Sequence, residues 1–130
     1  MSQPIRLRVD APPPAKDGAK SIRSPEHLRY RITVALREKM AEVMEGHQPF
    51  TGVRLRMDVH YRRAASQADA LNIINGIADV IQAHSHREDH RFDVSVLDDD
   101  TNIREFHYTE APSEHDSYEL VVRRLGASEA

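Results

Sequence analysis

No cysteine occurs among the 130 residues. Disulfides and thiolate metal centres are therefore excluded, a zinc ribbon or finger with them, and any bound metal must rely on oxygen or imidazole ligands. Also missing is a run of the roughly eighteen apolar residues that a membrane-spanning helix needs. The first residues carry no apolar signal core, so the expectation is a soluble, intracellular protein. No internal repeat is visible, and low complexity is confined to Pro12-Pro13-Pro14. At 14.8 kDa the chain is long enough for one core and too short for two, which predicts a single domain over 1–130.

Charge is present in both signs but unevenly placed. The net charge of −3 hides thirteen Lys and Arg against seven Asp and Glu in residues 1–63, and five against fourteen in residues 64–130. A basic half joined to an acidic half suits a surface for phosphate beside a surface for cations. It equally suits charge-complementary packing of one half on the other, or of two subunits.

Ile5, Leu7 and Val9 alternate with Arg6 and Arg8, a short first strand with one apolar and one basic face. Residues 10–23 hold the proline run and Gly18, which predicts an extended or mobile connection. Lys16, Lys20 and Arg23 make it basic, either a plain exposed loop or an arm that follows a nucleic-acid backbone. Ser24-Pro25 reads as a helix start. Leu28, Ile32, Ala35, Leu36, Met40 and Val43 then recur at helical spacing, and Gly46 offers the stop.

Val53, Leu55, Met57, Val59 and Tyr61 alternate strictly with Arg54, Arg56, Asp58, His60 and Arg62, predicting a strand with one core face and one basic face. It ends in the pair Arg62-Arg63, placed to contact phosphate or simply to be solvated. Next, Ala70, Ile73, Ile74, Ile77, Ala78 and Ile81 form the apolar side of a second helix. Asp69, Asn72, Asn75 and Asp79 fall within an arc of about 120° on its other side.

Residues 82–93 are polar and hold His84, His86 and His90, a spacing that can ligate zinc or another transition metal. Phe92, Val94 and Val96 alternate. Asp98-Asp99-Asp100 makes an acidic turn ahead of a strand over 102–108. A turn over 111–116 and a last strand over 117–125 follow, the final two strands reading as a hairpin, with a frayed tail from Gly126. The order strand-helix-strand-helix-strand-strand predicts an α+β (mixed α/β) fold, about four strands with two helices packed on them. Carboxylates at a helix start and at a strand start commonly hold a hard divalent cation between two elements. The same residues can be an N-cap, a solvated helix face and an acidic turn.

Asp69-Ala70-Leu71-Asn72, the later Asp79, and Asp98-Asp99-Asp100 with Ile103 three residues on resemble the motifs of the RusA family of Holliday-junction resolvases. That family carries Asp-x-Asp-Asn opening the second helix, a lysine three residues after that Asn, and an Asp-Asp pair before its last strands. The resemblance implies a magnesium-dependent endodeoxyribonuclease (manganese also serving) that acts on branched DNA in recombination and repair. It further implies a homodimer encoded by a bacterium or phage and working in the cytoplasm. Carried over, Asp69, Asp99 and Asp100 are the catalytic and metal-holding acids and Asn72 the motif asparagine; with Asn75 and the basic residues Arg62, Arg63, Lys16 and Lys20 it makes up the expected DNA contacts. Asp69 and Asp100 are expected to converge on one ion. Two positions depart from the pattern: Leu71 stands where the second acid would be, and Asn75 where the lysine would be. Low activity is expected unless Arg62, Arg63 or another basic group supplies the missing charge. The alternatives are a RusA-like domain that binds DNA or a protein partner without cutting, and a small homodimeric protein with no nucleic-acid role.

Overall fold

The structure, a computed structural model, describes residues 3–15, 28–64, 68–83 and 94–125. Strand β1 spans Ile5–Val9, helix α1 Leu28–Val43, strand β2 Leu55–Arg63, helix α2 Ala70–Ile81, strand β3 Ile103–Pro112 and strand β4 Ser117–Arg124. A single turn of 3-10 helix, Asp100–Asn102, leads into β3. The α+β class and the element order are those the hydropathy pattern predicts.

Period-two alternation sets the sheet. In β2, Leu55, Met57, Val59 and Tyr61 are buried while Arg56, Asp58, His60 and Arg62 are half-exposed. Ile5, Leu7 and Val9 of β1 and Tyr118, Leu120 and Val122 of β4 bury the same face. Against it pack Leu36 and Met40 of α1 and Ile73, Ile77 and Ile81 of α2, all fully buried. Each such aliphatic side chain contributes about 1.5–3 kcal/mol relative to exposure.

The strand order is β1-β4-β2-β3, and this corrects the expected terminal hairpin. β3 runs parallel to β2, Met57 opposite Phe106 and Val59 opposite Tyr108, because α2 carries the chain back along β2 before β3 begins. β4 then enters between β1 and β2, antiparallel to both. Residues 113–116 cross the end of β2, where the Ser113 amide donates to the Arg63 carbonyl at 2.9 Å. A short connection suggests a hairpin, but the chain crosses β2 instead and β4 pairs on its far side, beside β1, leaving β3 at the edge of the sheet.

The proline run is likewise not a free loop over the residues described. Pro13 and Pro14 are buried, and the backbone of Pro14 and Ala15 crosses α2 at Gly76. A Cβ at Gly76 would sit 2.5 Å from the Pro14 carbonyl oxygen, so only glycine admits this crossing. Among the described residues no helix is long and apolar enough to cross a membrane.

Candidate functional site at the two ends of the second helix

Asp69 is the N-cap of α2, and its Oδ1 accepts the Asn72 amide at 2.8 Å. It satisfies one of the amides that a helix start leaves free, and its charge sits favourably at the positive end of the helix dipole. Leu71, Asn75 and Asp79 are exposed and Asn72 half-buried, so the polar arc read from the sequence does face outward. Leu71, in its midst, is 72 % exposed.

The acidic turn lies at the other end. It stands beside the start of β2, where Phe50 and Leu97 form a parallel bridge and the Gly52 amide donates to Asp98 Oδ2 at 3.0 Å. Gln82, the residue after α2, ties the helix C-terminus to it. Its Nε2 is 3.4 Å from Asp79 Oδ1 and 3.4 Å from Asp100 Oδ2, and its Oε1 accepts the Asp100 amide at 3.1 Å. Twelve helical residues separate the two acidic groups, about 18 Å at 1.5 Å per residue. The expectation that Asp69 and Asp100 converge on one ion within a chain is therefore corrected, since a parallel β-α-β unit puts the start of its helix and the start of its second strand at opposite ends. Asp79, almost three turns further along α2, is the carboxylate that shares the Gln82 side-chain amide with Asp100.

The three consecutive aspartates differ in what they bond. Burial alone would raise the Asp98 carboxyl, but hydrogen bonds from Gly52, Asn102 and Asp99 outweigh it and hold it below the usual range. Asp99 caps the 3-10 turn by accepting the Thr101 amide at 3.0 Å. Asp100 is half-buried against Gln82. Among the described residues no three His, Asp or Glu side chains converge as a metal-holding group. The Asp79–Asp100 pair offers two carboxylates, which suits a magnesium ion that keeps several waters and takes its remaining ligands from a substrate phosphate.

The two arginines closing β2 part company. Arg62 points to the outer sheet face and meets Glu119 at 3.3 Å. Arg63 points to the core side, lies 4.8 Å over the Tyr61 ring, and bonds Glu110 at 2.8 and 3.0 Å. Arg63 and Tyr108 lower the Glu110 carboxyl to about 2, while burial and Glu110 push the Tyr108 hydroxyl up to about 12. Adjacent residues of a strand face opposite ways, so Arg62-Arg63 cannot act as one basic pair. On the outer face Asp58 holds both Arg56, at 2.7 Å, and Arg123, at 3.1 Å. Among the described residues Arg62 and Arg63 of the basic half thus pair with the acidic half.

Lys16, Lys20, His84, His86 and His90 lie outside the described residues. Lys16 directly follows Ala15, whose Cα lies beside Gly76 of α2. Sequence reasoning missed Gln82 as the link between Asp79 and Asp100. Its spacing of three from Asp79 was visible, but its contact with Asp100 depends on how the chain returns. No protein-family model matches the chain, and no curated protein matches it.

Proposed function

We propose that the chain is a RusA-like, magnesium-dependent, structure-specific endodeoxyribonuclease that cleaves Holliday junctions or other branched DNA in recombination and repair. The observation that carries this reading is the meeting of Asp79 and Asp100 on one amide, that of Gln82, at the end of a helix whose exposed side is polar. A hydrated magnesium ion beside the Gln82 side chain would reach both carboxylates through its waters, with Asp99 adjacent. Such an ion lowers the pKa of a bound water and neutralises charge on the phosphate under attack. Gln82 and the Asp100 amide hold the acids in place, while Asp69 serves mainly to start the helix. Asn72 and Asn75 offer hydrogen bonds to the backbone of DNA, and Lys16 and Lys20 offer charge. A two-fold homodimer, in the cytoplasm of a bacterium or a phage-infected cell, would present two such sites to opposed strands of a four-way junction. Manganese can replace magnesium.

A second reading, branched-DNA binding without cleavage, is favoured by Leu71. At 72 % exposure on the polar side of α2, it provides neither a ligand nor a charge.

Incubation with a synthetic four-way junction separates the readings. Under the first, cutting requires Mg²⁺ or Mn²⁺, stops with chelator, and is lost in Asp100→Asn and Asp79→Asn, while Leu71→Asp, at the far end of α2, leaves the rate unchanged. Junction binding with no cutting in any of these supports the second. DNA affinity that does not fall with added salt contradicts both and leaves a homodimeric protein of another role.

A further inference from the structure

The outer face of the sheet ends in a cleft of about 500 Å³ that neither acidic group reaches. It lies where β1 and β2 finish and β4 begins, at the Asp69 end of the molecule. Its charged lining residues are Arg8 of β1 and Arg62 of β2, one on each side of β4, together with the carboxylates of Asp10 and Asp116. Arg8 is registered opposite Glu119 and Arg62 opposite Ser117, two positions apart along β4. Strand spacings of about 4.8 Å and a rise of about 3.4 Å per residue put their Cα atoms about 12 Å apart on the same face. Two arginine side chains can close that distance on a group of phosphate size.

The rest of the lining mixes neutral donors with those two carboxylates, each of which is already engaged within the fold. Ser113 and Ser117 supply hydroxyl donors, and His115 sits on the rim. The carboxylate of Asp116 also borders the cleft, but it accepts the Tyr61 hydroxyl at 2.6 Å and the Ala64 amide at 2.7 Å, which spreads its charge into the fold. Each arginine has one carboxylate partner at 3.3 Å, Asp10 for Arg8 and Glu119 for Arg62. Long, partly exposed pairs of this kind are weak and yield to a phosphate that can take two guanidinium bonds.

We propose that this cleft binds a phosphodiester group of a nucleic-acid backbone, with Arg8 and Arg62 gripping its oxygens from either side of β4. The choice of ligand source rests on the nucleic-acid reading above; the cleft itself does not. It assigns the phosphate contact to Arg62 together with Arg8, and not to Arg63. It also sets that contact at the opposite end of α2 from the Asp79–Asp100 pair, so that DNA engaging both would extend along the molecule.

The test uses the full chain and two probes, inorganic pyrophosphate by titration calorimetry and a four-way junction at several salt concentrations. Arg8→Ala and Arg62→Ala are each expected to weaken pyrophosphate about tenfold or more, the scale of a lost charge-assisted bond. Each is also expected to reduce the magnitude of the salt slope of junction binding by about 0.9. Arg62→Lys should recover part of the affinity. Arg6→Ala, on the same strand face but outside the cleft, should change neither, and circular dichroism should show every variant folded. Pyrophosphate binding weakened by these substitutions, with no junction binding by the wild-type chain, would support the cleft as an anion site and remove DNA as its source. Junction binding with an unchanged salt slope in both variants and no pyrophosphate binding would overturn the cleft and leave the DNA reading intact.

Discussion

Single residues hold this architecture together at positions where chemistry leaves no substitute. At Gly76 the helix would gain about 1 kcal/mol from alanine by propensity alone. The backbone of Pro14 and Ala15, 2.5–2.7 Å from where the new methyl would be, reverses that sign. Gly76→Ala is expected to lower stability by about 1–3 kcal/mol in urea unfolding; a gain would show that the crossing is loose. Glu110 is the second such point. Its carboxyl, held at about 2 by Arg63 and Tyr108, has an unfolded value near 4.5. A depressed carboxylate stabilises the fold above its unfolded pKa and loses that contribution as pH falls through the folded one. Stability should therefore drop between about pH 4.5 and 2, and Glu110→Gln should flatten this part of the profile, as read by thermal melts across that range. Neither role was legible in the sequence. A glycine in a helical pattern and a glutamate in a strand look ordinary until another segment is laid against them.

Among the elements, α2 was the most legible, because its apolar spacing and its Asp69 cap are local properties of consecutive residues. The structure bears out both the helix and the outward face of Asn75 and Asp79. The β3–β4 relation was not legible, since pairing partners depend on where β2 already lies. That non-local fact also decides the acids. A parallel β2-α2-β3 unit separates Asp69 from Asp100, and spacing along the chain carries no sign of it. Asp69→Asn keeps a capping oxygen and should cost little stability, whereas Asp69→Ala should cost about 1 kcal/mol. Both should leave Mn²⁺ affinity unchanged. A fall in Mn²⁺ affinity in either variant would show that the helix start, and not its end, belongs to the metal site.

For the molecule as a whole, the division of charge was plain in the sequence, but its use was not. Arg62 with Glu119 and Arg63 with Glu110 join the basic and acidic segments within one sheet, whereas Arg123 with Asp58 pairs them in the opposite sense. Charge-complementary packing thus accounts for part of the asymmetry, leaving the cleft beside Arg8 at one end and the Asp79–Asp100 pair at the other. The account depends most on that second place. A crystal of the protein soaked in Mn²⁺ and measured at an energy where manganese scatters anomalously tests it directly. The expected result is an anomalous peak between Asp79 and Asp100, within reach of both carboxylates. A well-ordered crystal with no peak there, or with manganese bound at Asp69 alone, would contradict it.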